Sequence, residues 1–238
     1  MKILLVGSQG KMAKLLCKTA DKNKTDQIVA GVDIQNNSKN TPINQNPILP
    51  YLSHKKHKTI WSVKEKADII IDFSTMKDKG EIIDYALLHK IPLAIFSTTC
   101  SGSDIKRLKD ASKYIPLLVC PNTSIGVNAM LDALDILSNQ LNNSDIALTE
   151  YHHKNKIDTP SGTAKIMLDV ISKNSKNHVQ INTLRVGDEC GYHSVSFFMQ
   201  GEKVTLSHTA TSKEIFAIGA LNMARKLLLK QNGFFTKL

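Results

Sequence analysis

The sequence predicts an α/β protein in two parts: a parallel sheet with helices on both faces, followed by a smaller α+β segment. Three observations carry this. Short apolar runs alternate with helix-length stretches from residue 2 to residue 120. After Asn122 the alternation gives way to a long helix, a strand, a second helix and three alternating segments. The 238 residues, 42% of them apolar, suffice for one or two domains with a buried core and no disulfide or metal staple.

Residues 2–6 (KILLV) form an apolar run that ends at Gly7-Ser8-Gln9-Gly10-Lys11-Met12. Met12, Leu15, Leu16 and Ala20 then recur at helical spacing, and 27–32 reads as a strand closed by Asp33. Strand, glycine turn, helix, strand and acid make one βαβ unit. Residues 34–58 are polar, rich in Asn and Pro, and end in His54-Lys55-Lys56-His57-Lys58; they read as a long surface loop with a basic tip. A buried strand follows at 67–73, a helix at 77–89, and a strand at 92–96 that stops at Ser97-Thr98-Thr99. A polar helix at 103–113 and a strand at 116–120 complete the alternation, which implies a parallel sheet.

Beyond Asn122, Val127, Met130, Leu131, Leu134, Leu137 and Leu141 mark a helix over 126–141. A strand at 146–150 leads through a loop to a helix at 162–173. Segments 179–186, 192–199 and 203–209 alternate and predict a largely antiparallel sheet. The last helix, 213–230, opens on a capping box, Thr211 with Glu214, and stops near Asn232-Gly233.

Composition narrows the function classes. The formal charge is +10, yet only three cations are Arg (Arg107, Arg185, Arg225) and aromatics are 5%. Base reading favours Arg forks and stacking platforms, so no nucleic-acid partner is expected, although a basic field attracts small anions. The longest apolar stretches, 91–96 and 115–120, fall far short of the ~18 residues that span a bilayer, so no membrane partner is expected. The first residues reach Gly7 too soon for a signal peptide. Cys17, Cys100, Cys120 and Cys190 are scattered without a CxxC, which fits a reducing cytoplasm.

Two motifs carry chemistry. In Gly7–Met12, Gly7 permits a tight turn and Gly10 lets backbone amides approach a pyrophosphate at a helix start. The spacing is GxxGxM, but a strand precedes it and Asp33 lies 23 residues after Gly10, near the ~20 expected of a ribose-binding acid. This reads as a dinucleotide-binding turn in a Rossmann-like domain. The second motif, Glu150–Ala164, packs His152, His153, Lys154, Lys156, Asp158 and a Pro-Ser-Gly-Thr turn into one loop that feeds a helix. The amides near Gly162 and Thr163 make an anion site, the Thr163 hydroxyl adds a bond, Lys156 supplies charge, and the histidines titrate near neutrality. Such a loop suits a small dicarboxylate that must be held and protonated. Adjacent histidines point apart and neither an HExxH nor a third ligand lies nearby in sequence, so no metal site is expected.

The string E-x-H-H-x-x-K-x-D-x-P-S-G-T-A at Glu150–Ala164 resembles the dihydrodipicolinate (4-hydroxy-tetrahydrodipicolinate) reductases of lysine and diaminopimelate synthesis, and the resemblance runs the length of the chain. Supporting pieces are Gly7-x-x-Gly10-Lys11-Met12, Asp72-Phe73-Ser74, Ser97-Thr98-Thr99, Pro121–Asn128, Arg185-x-Gly187-Asp188, Gly191-x-His193 and Phe216-Ala217-x-Gly219-Ala220. The resemblance implies His152 as acid/base, Lys156 as second proton donor, and His153, Ser161, Gly162 and Thr163 as substrate contacts. It implies NADH or NADPH as cofactor, touched by Gly7, Ser8, Gln9, Gly10, Lys11, Met12, Asp33, Ser97, Thr98, Thr99, Cys120, Pro121, Asn122 and Thr123.

It also implies a nucleotide-binding domain, here 1–123 plus 211–238, and a substrate and tetramer-forming domain at 124–210, the two closing over the substrate. The chain departs from the usual family residue at Lys11, Ser97, Cys100, Thr123 and Lys213. The Pro-Ser-Gly-Thr turn beside the histidines argues against an amino-acid or hydroxy-acid dehydrogenase. Retention of His152 and Lys156 argues against a sensor without turnover. With Asp33 followed by no cation before Lys39, NADH is expected to serve at least as well as NADPH.

Overall fold

The computed structural model describes residues 1–33, 55–76, 78–97 and 99–238, with Lys55 and Lys56 as backbone only. Most of the predicted 34–58 loop, the helix start at Lys77, Lys39 and the expected cofactor contact Thr98 lie outside the described residues. In chain order the elements are β1 (Lys2–Val6), α1 (Lys11–Asn23), β2 (Gln27–Val32), β3 (Lys55–His57), β4 (Ile69–Asp72), α2 (Gly80–His89), β5 (Leu93–Ile95), α3 (Gly102–Ala111) and β6 (Pro116–Val119). There follow α4 (Ile125–Gln140), β7 (Asp145–His152), α5 (Gly162–Asn174), β8 (Val179–Arg185), β9 (Tyr192–Met199), β10 (Glu202–Thr209), α6 (Glu214–Leu228) and β11 (Gly233–Phe235). The chain divides into two units, Met1–Thr123 with Phe216–Leu238, and Ser124–Ile215.

The first unit is a parallel sheet in the order β11-β6-β5-β4-β1-β2-β3. Side chains alternate across β1: Ile3 and Leu5 face one apolar cluster, built with Leu16, Ala20, Ala220 and Ala224 of α1 and α6. Leu4 and Val6 face the other, built with Ile82, Ile83 and Leu108 of α2 and α3. Each such fully buried Leu or Ile contributes roughly 1.5–3 kcal/mol. From β1 the chain moves to β2 and β3 on one side, then to β4, β5 and β6 on the other, so the carboxyl ends of β1 and β4 flank a topological switch point. That crevice is where doubly wound sheets bind ligands.

Several local expectations change here. The basic run at 55–57 is a strand beside Ala30–Val32 of β2, not a loop tip, because the open edge of β2 offers it backbone partners. Gly233–Phe235, read as the end of the last helix, pairs with Pro116–Leu118 as an edge strand, with Phe235 packed on the α1/α6 cluster and Phe234 on the other. The Glu214 amide is held by the Ser212 hydroxyl at 3.1 Å rather than by a Thr211 box.

The second unit is a four-stranded sheet in the order β10-β9-β7-β8 with α4 and α5 packed on one face around Leu134, Leu148, Met167, Val195 and Phe197. Two pairs are antiparallel, but β8 runs parallel to β7. The connection through α5 returns the chain to the starting end of β7, which an antiparallel hairpin would not do. The sheet is therefore mixed rather than simply antiparallel.

Candidate active site

β7 extends to His152, two residues past the predicted strand end, because its last residues pair with Leu184 and Arg185 of β8. Alternation along β7 puts Ile146, Leu148, Glu150 and His152 on one face; the first two pack in the core and the last two make its polar end. Antiparallel register places His193 opposite Glu150, and parallel register places Arg185 beside His152. Four side chains from three strands thus meet at one end of the sheet.

Glu150 is completely buried and organises them. Its Oε1 accepts from the Ser161 amide at 3.0 Å and from Arg185 Nη2 at 3.1 Å. Its Oε2 faces His152 Nδ1 at 3.4 Å and His193 Nε2 at 3.5 Å. Burial alone would lift this carboxyl; the bonds from Ser161 and Arg185 outweigh it and hold the group below the usual carboxylate range. Burial pushes the His152 imidazole below its ordinary value, and the Glu150 carboxylate opposes that without cancelling it. Burial, with neighbouring His152, pushes His193 down to about 4. Near neutrality the cluster is an ionised carboxylate between two uncharged imidazoles.

The surroundings fix the rings. Gly191, at φ +151°, lies so close over His152 that a Cβ there would stand 3.0 Å from Nε2, and that backbone angle itself favours glycine. Ser161 caps α5, accepting from the Ala164 amide at 3.1 Å, and its hydroxyl is 3.0 Å from His193 Nε2. Arg185 Nη2 also donates to the Asp158 carbonyl at 2.6 Å and to Thr159 Oγ1 at 3.0 Å, tying the loop before α5 to Glu150. Beyond the cap, exposed Gly162 and half-buried Thr163 form the first turn of α5. Lys156 Nζ is clasped by both oxygens of Asp158 at 2.8 and 2.9 Å. Burial works against the Asp158 carboxylate, but the Lys156 bond outweighs it and holds the group below the usual range. The His153 amide donates to Glu189 O at 2.8 Å, and its side chain is half-buried.

The second unit therefore brings together His152, His153, Lys156, Ser161, Gly162 and Thr163 along one strand end, loop and helix start. The expected dinucleotide contacts belong to the first unit. Gly7, at φ +76°, turns the chain with its amide on Val32 O at 2.9 Å, and the Gln9 amide donates to Asp33 Oδ2 at 2.7 Å. Ser8 is buried, whereas Gln9, Gly10 and Lys11 are exposed and Met12 is half-buried at the start of α1. Half-buried Ser97 and Thr99 stand beyond β5. Cys120 donates its Sγ–H to Asn122 O at 3.0 Å, and burial pushes its thiol pKa up. Exposed Pro121 and buried Asn122 follow, and the buried Thr123 hydroxyl donates to Phe216 O at 2.7 Å, fastening α6.

Glu150, Asp158, Arg185 and His193 carry structure that reading by residue type left without a role. Period-two spacing could have paired Glu150 with His152; Arg185 and His193 stood in the sequence only as parts of family motifs, and strand register brings them to Glu150 and His152. Among the described residues, ligand atoms of Glu150, His152 and His193 lie within 4.8 Å of one another, so a third potential ligand does stand beside His152, contrary to the expectation from spacing. The donor set suits acid–base work better than a cation: a guanidinium already occupies Glu150 and the Ser161 hydroxyl engages His193. Among the described residues no helix is long and apolar enough to cross a membrane.

Two family models match the chain. Residues 1–123 match the model described as dihydrodipicolinate reductase, N-terminus, and residues 126–237 match dihydrodipicolinate reductase, C-terminus. The chain is 33% identical to the 4-hydroxy-tetrahydrodipicolinate reductase of Caldanaerobacter subterraneus subsp. tengcongensis, covering 99% of this chain and 96% of that protein. It is 35% identical to the enzyme of that description from Buchnera aphidicola subsp. Cinara cedri, covering 98% and 94%. Among solved structures, the dipicolinate-bound dihydrodipicolinate reductase from Paenisporosarcina sp. TG-14 superposes with a TM-score of 0.83 at 18% identity, covering 100% of this chain and 98% of that one.

Proposed function

The chain belongs to the dihydrodipicolinate reductase family, oxidoreductases of lysine and diaminopimelate biosynthesis that reduce 4-hydroxy-tetrahydrodipicolinate to tetrahydrodipicolinate, and we propose how its residues divide that work. The first unit, a dinucleotide-binding domain that calls for NAD(P)H, takes the cofactor on the Gly7–Met12 turn, Asp33, Ser97–Thr99 and Cys120–Thr123. Bound there, the nicotinamide supplies the hydride. The second unit, Ser124–Ile215, holds the imino-dicarboxylate, a substrate class supported by the relative solved with dipicolinate.

One substrate carboxylate takes the amides of Gly162 and Thr163 and the Thr163 hydroxyl at the start of α5, with His153 beside them. Lys156 adds its charge, and Asp158 holds the ammonium until the substrate competes for it. Ser161 spends its amide and hydroxyl on Glu150, His193 and Ala164, so its part is to shape the site. Loss of the 4-hydroxyl as water leaves the conjugated imine, and His152 donates the proton as charge builds on it during hydride addition, with Lys156 as the second donor. The observation that carries this reading is the buried, ionised Glu150 with His152 Nδ1 3.4 Å from its Oε2: the carboxylate opposes, without cancelling, the fall that burial imposes on the imidazole.

The first unit's cofactor choice follows from Asp33. Its carboxylate accepts from the Gln9 amide and stands at the ribose end of β2, where a 2′-phosphate meets like charge. NADH then serves at least as well as NADPH, with Lys11 accounting for residual NADPH use. On the outer face of the second unit's sheet, Tyr151 stacks on Tyr192 at 4.3 Å between centroids, with exposed Leu184 beside them and exposed Phe198 farther along β9, which supports a homotetramer built on this face. Four free cysteines fit a cytoplasmic enzyme.

NAD(P)H oxidation coupled to the preceding synthase tests the assignment. His152→Ala and Lys156→Ala are each expected to lower kcat by ~10²-fold or more. A doubly substituted enzyme with near-normal kcat overturns it. Run with both cofactors at matched salt, the assay also settles preference: a strong NADPH preference that survives Lys11→Ala assigns the 2′-phosphate to another cation, the strand β3 lysines first.

A further inference from the structure

Lys79 lies at the start of α2 with its side chain completely buried, and the established reaction gives it no task. Its Nζ makes three polar contacts: Asp72 Oδ2 at 2.7 Å, Ser74 Oγ at 3.0 Å and the Ser74 carbonyl at 3.2 Å. Two of its protons are hydrogen-bonded, both to Ser74, and the Asp72 contact is an ion pair. Asp72, also completely buried at the end of β4, accepts the Ser74 amide on Oδ1 at 2.7 Å. The ion pair therefore grips Ser74 by its amide, its hydroxyl and its carbonyl. The Lys79 backbone is anchored in turn, its amide donating to Asp104 Oδ1 at 3.1 Å within the capping box of α3.

Ser74 is where two segments of the first unit meet. A Cβ on Gly7 would stand 2.7 Å from the Ser74 amide nitrogen, so the glycine turn rests directly on this residue. From the other side, Thr99 Oγ1 donates within 3.4 Å of the Ser74 carbonyl and at 2.9 Å to the Met76 carbonyl, and stands 3.4 Å from Ser97 Oγ. Stability alone does not account for a fully buried ion pair here, since well-packed apolar residues of equal volume commonly do as well or better. A pair that holds one residue by all its polar groups, at the switch point of the sheet, does have a reason to be polar.

We propose that Lys79, through its ion pair with Asp72, is a positioning residue of the dinucleotide site, fixing Ser74 and with it the spacing between the Gly7–Met12 turn and Ser97 and Thr99. The inference rests on the reading that these two segments hold the cofactor. Lys79 touches neither cofactor nor substrate; it sets the distance between the groups that do.

The test is NADH affinity by fluorescence titration, with KM for both substrates, on full-length protein whose fold is checked by circular dichroism and thermal unfolding. Lys79→Met, and Lys79→Met combined with Asp72→Asn so that no charge is left unpaired, are expected to raise the NADH Kd and KM by about tenfold or more, the scale of a lost charge-assisted bond. KM for the imino-dicarboxylate is expected to stay within about twofold of wild type, since unit two's contacts are untouched.

A double variant that folds and binds NADH like wild type overturns the proposal. If neither variant folds, Ser74→Ala, which removes only the hydroxyl that Lys79 holds, carries the decision, and wild-type NADH affinity there overturns the proposal. Gly10→Val separates the inference from its premise. Normal NADH binding there overturns the dinucleotide reading of the turn and the proposal with it. Loss of binding there, with the Lys79 variants unaffected, overturns the proposal alone.

Discussion

Glu150 is an ionised side chain sealed from water, with two donors bonded to one oxygen and two imidazole nitrogens within 3.5 Å of the other. Burial lowers the His152 pKa, and the Glu150 charge is the main influence that opposes it. As a proton donor His152 acts in its protonated form, so kcat/KM is expected to fall as pH rises through an apparent pKa below 6.5, the ordinary histidine value. Glu150→Gln removes the opposing charge, so that fall is expected to shift to still lower pH, with reduced kcat/KM at neutrality. The pH profile of kcat/KM in both proteins is the measurement, and an unmoved profile in Glu150→Gln would disconnect the carboxylate from His152. Lys156 shows the same economy of charge. Paired with Asp158 on both oxygens, its ammonium is aimed before any substrate arrives.

Helix α5 begins where strand β7's polar end needs donors, and Ser161 joins the two. Its hydroxyl caps the helix through Ala164 and meets His193, while its amide serves Glu150. Ser161→Ala keeps the amide bond but removes the cap and the imidazole partner. An unfolding free energy lower by about 1 kcal/mol is expected from the cap alone, measured by urea titration, together with a drop in kcat as His193 loses its hold. Stability unchanged by the substitution would mean that water replaces the cap at no cost. At the other end of the chain, β11 shows how an element is decided by its neighbours. Gly233-Phe234-Phe235 is too short for periodicity, yet β6 offers a free edge and both apolar clusters offer room for a phenylalanine.

At the scale of the molecule, two sheets of different build serve two tasks. The parallel sheet of the first unit is covered on both faces and leaves its switch point for a ligand. Among the described residues, α4 and α5 cover one face of the second unit's mixed sheet, and its other face carries Tyr151, Tyr192, Phe198 and Leu184. Phe198, 44% exposed, is the probe of that face. Phe198→Glu places a charge where four copies are proposed to meet. Sedimentation is expected to show species smaller than a tetramer, since charges unpaired at an interface core are costly. A variant that still sediments as a tetramer would move the interface elsewhere.

Much of this was legible in the residues alone. Alternating apolar runs named the parallel sheet, because burial on both faces leaves a continuous apolar strand that local sequence displays. The Gly7–Met12 turn with Asp33, and the His152–Thr163 string, are local too, since a tight turn and a helix start draw their chemistry from neighbours in the chain. Register was not legible. Glu150 and His193 are 43 positions apart, and His152 and Arg185 are 33 apart, yet strand pairing sets each pair side by side. By residue type Lys79 is one more surface cation, and only folding buries it against Asp72. The difference is physical: periodicity and turn chemistry act over a few residues, whereas pairing, burial and the pKa shifts they cause exist only once distant segments have closed on one another.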